Sequence, residues 1–344
     1  RHIITSKKIK KFKNKIIKVK NVIKFLNNFA YIKRKYSNAQ IFAITGSAGK
    51  TSLKNLLNHL LEHFGNTLSS PKSYNNHLGV PISLSQLNAS HKYGVFEVGM
   101  SKAGEINKLS RLIKPQIGII TNVGEAHIEN FKNLKGIANA KGELINNISS
   151  NGTIILNRDD KYFNYFKKKA YNKSLKIVSF GMSKNSDVCP ISIKTNKNYK
   201  YLIVRVKKQI LNIEFKDLNI YNILSSLALL NELDLDLNKV TKSFKNFEPS
   251  QGRGKVHNII RYKKKFKLID ESYNANPISV KNAIKMFNSI KKQNFKKYLL
   301  LGDMLELGNK SEVLHKDLSK VINSSDIDKV FIKGYKTINT YKYI

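Results

Sequence analysis

The 344-residue chain has no tryptophan, a single cysteine, six prolines, and only 23 acidic residues against 62 lysines and arginines. A lone Cys189 cannot close an internal disulfide or build a metal cluster, so a disulfide scaffold is excluded and a reducing, cytoplasmic setting is expected. No stretch reaches the ~18–20 consecutive apolar residues of a membrane span. The basic first 35 residues lack both the uninterrupted apolar core and the small-residue cleavage site of a secretory leader. They read instead as a basic amphipathic helix, either lying on a membrane surface or capping the first domain. No internal repeat or long low-complexity tract is present.

The scarcity of acids leaves a formal charge of +39. Such a charge ordinarily points to nucleic acid or an anionic membrane. Here the lysines are spread along the whole chain among many Asn and Ile residues, the pattern of a compositional bias rather than of a built patch. A positive field of this size still favours a phosphate-rich substrate.

What is present is 41% apolar residues in a chain long enough for two or three domains. The most informative segment is Ile44-Thr45-Gly46-Ser47-Ala48-Gly49-Lys50-Thr51-Ser52. It follows an apolar strand-like run, Gln40 to Thr45, and precedes Leu53, Leu56, Leu57, Leu60, Leu61 and Phe64 at helical spacing. A glycine-bearing turn at that junction aims backbone N–H groups and a helix N-terminus at one spot, with a lysine beside it and a hydroxyl available for Mg²⁺. The general G-x-x-x-x-G-K-[ST] pattern fails at its first glycine, where Ile44 stands, so the loop is a shortened T-G-x-x-G-K-T form.

Further strands are expected at Tyr93 to Val98, Gln116 to Val123, Gly152 to Leu156 and Lys176 to Phe180, alternating with helical patterns. This predicts an α/β protein with a parallel sheet covered by helices on both faces. Pro190 to Phe215 changes to β-rich alternation, an antiparallel appendage. Past Pro249 a second, smaller α/β unit of Rossmann type follows, with strands at Phe266 to Ile269, Tyr298 to Leu301 and Lys329 to Ile332. Helices are expected near Val280 to Ile290 and Glu312 to Ile322. The polar Glu248 to Gly252 stretch reads as the hinge. The expected domains are therefore 1–39, 40–248 and 249–344.

Glu97 ends one expected strand and His127 follows another, which in a doubly wound sheet places both near the phosphate loop. A carboxylate and an imidazole there suit a divalent metal, Mg²⁺ before others; a lysine ion pair and a helix cap account for them equally well. Lys141 lies within an apolar helical stripe, where a lysine either snorkels or is tuned by burial. Asp270-Glu271-Ser272-Tyr273-Asn274-Ala275-Asn276-Pro277 gathers hydrogen-bonding groups at a strand end, although turn chemistry explains its Asn and Pro. Leu301 to Gly308, with His315, forms a similar cluster on the next strand.

In order, these segments resemble the Mur ligase family. The resemblance is carried by Thr45 to Thr51, Asn75-Asn76-His77-Leu78-Gly79-Val80-Pro81, Glu97-Val98-Gly99-Met100, Asn122 to His127, Ala140-Lys141-Gly142-Glu143, Asn219-Ile220-Tyr221-Asn222, Gly252-Arg253-Gly254, Asp270 to Pro277, and Leu301 to Gly308. It implies an ATP-dependent amide ligase of cell-wall precursor synthesis, acting on UDP-N-acetylmuramoyl-tripeptide and D-alanyl-D-alanine, with ATP and Mg²⁺ and as a monomer. ATP would be held by Gly46, Ser47, Ala48, Gly49, Lys50, Thr51 and Ser52, with Asn222 on the adenine side and Arg253 and Asp270 arriving from the second domain. Thr51, Glu97, His127 and a carbamylated Lys141 would hold metal, and Lys50, Glu97, His127 and Lys141 would carry catalysis. Asn76, Tyr273, Asn274 and Asn276 would contact substrate. Only about forty residues precede the phosphate loop, too few for the family's uridine-nucleotide domain, and Leu218 replaces a histidine the family often carries; the chain reads as a fragment, short at both ends. A sister ligase or a folylpolyglutamate synthase is the near alternative, and a P-loop nucleic-acid-binding protein the distant one.

Overall fold

The computed structural model describes the chain except residues 1, 10–12, 197–198, 217, 291 and 293. Its first segment departs from the expected basic helix. Two three-residue strands, β1 (Ile3–Thr5) and β2 (Ile16–Lys18), the second directly after a 3-10 turn at Lys13–Lys15, pair in parallel before the helix α1 (Val22–Lys35). Part of the expected helix, residues 1 and 10–12, lies outside the described residues. Asn21 starts α1 by accepting the Lys24 N–H on its side chain, the usual way to satisfy a first-turn donor.

The central unit runs β3 (Gln40–Thr45), α2 (Lys50–Leu61), β4 (Thr67–Ser69), α3 (Gly79–Ser85), β5 (Tyr93–Glu97), α4 (Glu105–Ile113), β6 (Ile117–Ile120), α5 (Leu134–Lys141), α6 (Glu143–Asn146), β7 (Thr153–Asn157), α7 (Phe163–Tyr171) and β8 (Lys176–Phe180). Then come β9 (Val188–Thr195), β10 (Lys200–Val206), β11 (Gln209–Phe215) and α8 (Ile220–Glu232). Among the described residues these strands form one nine-stranded sheet in the order β11-β10-β9-β8-β7-β6-β3-β5-β4. Pairing is parallel from β4 to β9 and antiparallel across β9, β10 and β11, as the change of pattern at Pro190 foretells.

The alternation of β3 decides both cores. Ile41 and Ala43 join Phe96, Ile154 and Leu156 on one face, while Phe42 and Ile44 join Leu53, Leu56, Leu57 and Leu60 of α2 and Leu224 and Leu227 of α8 on the other. A central parallel strand buried on both faces must be apolar throughout. The chain leaves β3 for β4 and β5 on one side and then crosses to β6, β7 and β8 on the other. The resulting crevice opens at the carboxyl ends of β3, β5 and β6, where open α/β sheets bind ligands.

The second lobe contains β12 (Lys255–Arg261), β13 (Lys264–Asp270), α9 (Pro277–Asn288), β14 (Tyr298–Gly302), α10 (Ser311–Lys316), α11 (Leu318–Asn323), β15 (Lys329–Lys333) and α12 (Ile338–Tyr341). Among the described residues β12–β13 is an antiparallel ribbon and β14–β15 a separate parallel pair, so the smaller lobe is α/β as expected. The helix expected over Glu312 to Ile322 is broken into α10 and α11 at Asp317. The lobe lies against the crevice: a Cβ on Gly124 would meet Ile278 Cδ1 at 1.9 Å, Asn55 donates to Ser250 Oγ at 2.6 Å, and the Glu129 N–H reaches the Glu306 carbonyl at 3.3 Å. Among the described residues no helix is long and apolar enough to cross a membrane.

Candidate active site

The turn between β3 and α2 is shaped by two glycines in backbone conformations that side chains resist. Gly49 has φ +83° and Gly46 φ +151°, and a Cβ on Gly46 would fall 1.9 Å from Thr121 Oγ1. The loop is braced from the end of β6. Thr121 Oγ1 donates to the Ala48 carbonyl (2.7 Å), the Ala48 N–H donates to Asn122 Oδ1 (2.9 Å), and the Ser47 hydroxyl donates to the Gly124 carbonyl (3.0 Å) while accepting the Gly124 N–H (2.9 Å). At Gly49, the N-cap of α2, no side chain caps the helix. The first-turn donors of Lys50, Thr51 and Ser52 are thereby left for an anion, and the helix dipole favours the same charge.

Lys50 bends back to the Gly46 carbonyl (2.9 Å). Burial pulls its ammonium below the ordinary lysine range, with Glu97 opposing and Arg253 adding to the shift. Glu97, 1% exposed at the end of β5, accepts the Thr51 hydroxyl at 2.7 Å and Asn75 Nδ2 at 2.7 Å. The Ser73 hydroxyl stands 3.2 Å from Thr51 Oγ1, and Arg253 of the second lobe donates to Ser73 Oγ at 3.3 Å. Since Arg253 only donates and a carboxylate only accepts, the protons run one way: Arg253 to Ser73, Ser73 to Thr51, Thr51 to Glu97.

On the far side of the loop His127, in a left-handed backbone conformation (φ +57°), pairs through Nδ1 with Glu306 of the second lobe. Its imidazolium is disfavoured by burial, with Glu306 opposing and the charges of Lys50 and Lys141 reinforcing the effect. Lys141, at the end of α5, is 2% exposed. Burial and then the Lys50 charge hold its ammonium well below the usual range, against a pull from Asp160. Its near-complete burial sets it apart from a snorkelling lysine, whose charged head stays in water. Asp160 is itself held by the N–H groups of Val123 (2.7 Å) and Tyr162 (2.8 Å).

A cleft runs from Gly49 past Asn122, Phe180, Tyr221 and Asn222 to Ile278 of the second lobe. Asn222, buried on α8, puts its Oδ1 3.2 Å from where a Gly49 Cβ would lie.

The structure brings together Gly46 to Ser52, Glu97, His127, Lys141, Asn222 and Arg253. It assigns other roles to some expected contacts. Asn76 Oδ1 accepts the Leu78 and Gly79 N–H groups (3.1 and 2.9 Å) and so caps α3; Asn75 beside it is the amide that enters the site. Asn276 Oδ1 caps α9 while its Nδ2 donates to the Ser47 carbonyl at 3.2 Å, so it fastens the second lobe to the phosphate loop. Asp270 is occupied inside its own lobe by the Ser272 hydroxyl (2.6 Å), the Ser272 N–H (3.1 Å) and the Gly252 N–H (2.9 Å), which hold its carboxyl below the ordinary range. Tyr273 lies under the Arg253 guanidinium, 4.3 Å from ring centroid to Cζ, and Asn274 is exposed beside it. Sequence reading missed Lys54, Ser73 and Asp160, and named Glu306 only within the Leu301 to Gly308 cluster. Only the buried position of Lys54 on the apolar face of α2 left a trace, in the pattern Leu53, Lys54, Leu56, Leu57.

An anion cradle, a hydroxyl–carboxylate pair beside it and cationic and amide groups from a closing second lobe define a nucleoside-triphosphate-using enzyme of two lobes. Residues 44–230 match the family described as Mur ligase middle domain, and residues 257–339 match the Mur ligase, glutamate ligase domain. The chain belongs to the Mur ligase family. It is 36% identical over 334 residues to the UDP-N-acetylmuramoyl-tripeptide--D-alanyl-D-alanine ligase of Buchnera aphidicola subsp. Acyrthosiphon pisum, covering 96% of this chain and 72% of the relative. It is 34% identical over 347 residues to the enzyme of the same name from Rickettsia prowazekii, covering 99% and 75%. Among solved structures it superposes on crystal structure I of MurF from Acinetobacter baumannii with a TM-score of 0.88 at 27% identity, covering 99% of this chain and 73% of that one.

Proposed function

We propose that this chain is an ATP-dependent amide ligase that joins D-alanyl-D-alanine to a UDP-N-acetylmuramoyl tripeptide during peptidoglycan precursor synthesis, working as a cytoplasmic monomer. The observation that carries the reading is the meeting of Arg253 and Asn276 of the second lobe with Ser73 and Ser47 at the anion cradle; the names of the relatives support the choice of substrates.

In this reading the tripeptide carboxylate attacks the γ-phosphorus of ATP and ADP departs, leaving an acyl phosphate. The amine of D-alanyl-D-alanine then attacks the acyl carbon, and collapse of the tetrahedral intermediate forms the amide, releasing phosphate and the proton of the amine. The α2 N–H groups and the Lys50 ammonium face the transferring phosphoryl oxygens, where charge develops. Closure of the second lobe excludes water, which would otherwise hydrolyse the acyl phosphate.

The donor set fits Mg²⁺. Mg²⁺ takes oxygen ligands and is commonly held by one or two protein oxygens together with substrate phosphates, which the Thr51 hydroxyl and the Glu97 carboxylate can supply. Thr51 and Glu97 would hold one ion, and His127 with Lys141 a second; bound there, the metal would neutralise phosphoryl charge. As an ammonium Lys141 opposes that role, but its depressed basicity makes the free amine accessible. The amine lone pair attacks the carbon of CO₂ and one N–H proton leaves to solvent, turning the cation into a carbamate anion.

The test is ADP release on mixing enzyme, ATP, the nucleotide-tripeptide and D-alanyl-D-alanine, with the ligated product identified by mass. Release that depends on both co-substrates is the expected result. Turnover with a single amino acid as acceptor in place of the dipeptide would instead assign a sister ligase.

A further inference from the structure

Lys54 takes no part in the site as described, yet it is among the most deeply buried side chains of the molecule, 1% exposed. A buried lysine is rare unless paired, and no carboxylate among the described residues forms an ion pair with it. Its ammonium donates instead to two main-chain carbonyls, Ser70 and Lys72, at 2.5 Å each. These bracket Pro71 and stand directly before Ser73. The turn they belong to is strained, because Lys72 has φ +46°, a left-handed conformation that is unfavourable for a side-chain-bearing residue. Beyond the turn, the Ser73 hydroxyl lies within hydrogen-bond distance of both Thr51 of the phosphate loop and Arg253 of the second lobe.

We propose that Lys54 is a positioning residue: by clamping the carbonyls of Ser70 and Lys72 it holds the strained 70–73 turn so that the Ser73 hydroxyl bridges Arg253 to Thr51, coupling closure of the second lobe to the hydroxyl–carboxylate pair at the end of β5. The clamp is intrinsic to one lobe and stands ready before closure, whereas the bridge exists only when Arg253 arrives. Lys54 lies on α2 one turn past Lys50, so helix, turn and loop move as one body. Burying an ammonium for the sake of two carbonyls makes little sense for stability, since an apolar side chain of similar length would fill the same space; it does make sense if the position of Ser73 is what matters.

The role in catalysis rests on the ligase reading above, so one arm of the test is independent of activity. In Lys54→Met, hydrogen exchange of the ligand-free protein should rise about tenfold or more across residues 68–76 while α2 keeps its protection. In the enzyme, kcat should fall about tenfold or more with the KM for ATP little changed, and the losses of Lys54→Met and Arg253→Ala should not multiply in the double variant, because both act through Ser73. Unchanged exchange at 68–76, or multiplicative losses, would overturn the proposal. If Lys54→Met fails to fold, Ser73→Ala asks the same question: it should lose kcat and be non-additive with Arg253→Ala, and full activity would overturn the bridge. Absence of ligase activity in the unmodified protein would strike the proposed function, while the exchange arm would still decide whether Lys54 holds the turn.

Discussion

The Thr51 hydroxyl donates to Glu97 Oε2 across 2.7 Å, joining the first turn of α2 to the end of β5 in a site that also receives Arg253 from the other lobe through Ser73. In the proposed function this hydroxyl and carboxylate would be the oxygen pair that holds a magnesium-bound triphosphate. Replacing Glu97 by Gln keeps the shape and an acceptor but removes the charge. Glu97→Gln is expected to lower kcat by about 10²-fold or more while calorimetric binding of ADP without metal stays near the unmodified value. Near-normal turnover in that variant would remove Glu97 from the metal's surroundings.

Lys50→Ala removes the proposed phosphate contact and no core volume. The expected outcome is loss of ATP-dependent turnover by about 10²–10³-fold with circular dichroism and melting temperature little altered. Substantial residual turnover would mean that the helix N-terminus alone carries the phosphate charge.

Gly46→Ala tests the geometry of the loop. The added methyl would enter the space of Thr121 Oγ1, at 1.9 Å, from a backbone at φ +151°. A destabilisation of about 1–3 kcal/mol is expected, read from thermal melting, together with weakened nucleotide binding. Adding Thr121→Ala, which removes the clashing hydroxyl, should recover part of the lost stability; no recovery would show that the backbone angle alone sets the cost.

For Lys141, Lys141→Ala should be inactive yet folded, and millimolar acetate or propionate should restore part of the activity if a carboxylate at that point is the working species. The unmodified enzyme should also gain activity with added bicarbonate after CO₂ depletion. A folded Lys141→Ala without rescue would point to a structural role.

A pH prediction follows from Lys54. Burial pulls its ammonium down to about 8, with Glu97 opposing and Arg253 reinforcing the shift. A folded-state value below the ordinary one of 10.5 means that the unfolded chain binds the extra proton between those limits, so stability rises with pH across that window. The penalty is fully present below pH 8 and gone above 10.5. Relative to Lys54→Met, the unmodified protein should therefore gain up to about 3 kcal/mol between pH 8 and 10.5, measured by denaturant unfolding at each pH. A flat difference would show that the site does not disfavour the charge.

Much of the fold is legible because the strands of the central sheet are short apolar runs bounded by turn residues, and β3, α2 and β8 fall where periodicity puts them. The second lobe is less so. β12 reads as Lys255-Val-His-Asn-Ile-Ile-Arg261, polar and unremarkable, and its two-residue turn to β13 is Tyr262-Lys263, both at positive φ (+51° and +59°). Such turns normally announce themselves by Asn-Gly or Asp-Gly, so nothing local marks this hairpin. β1 and β2, three residues each, hide in a lysine-rich stretch for the same reason: a pairing that short is decided by its partner and not by its own pattern. In the site, the sequence singles out Asn76 and Asn276, but helix capping takes up their side-chain oxygens, while Asn75 and Ser73 acquire their roles only because the loop before α3 folds back on the end of β5.

By itself the chain determined the glycine-bearing loop, since glycine readily adopts the backbone angles found at Gly46 and Gly49 and a helix start directly after them gathers free N–H groups. It also determined the parallel sheet, through apolar runs that can be buried on both faces. Tertiary structure alone decided which charges meet. The depressed basicity of Lys141 arises from burial and the Lys50 charge, that of Lys54 chiefly from burial, and the proton order from Arg253 through Ser73 and Thr51 to Glu97 from a second lobe about two hundred residues downstream of the phosphate loop. Desolvation and Coulomb interactions depend on distance in space, which spacing along the chain does not record.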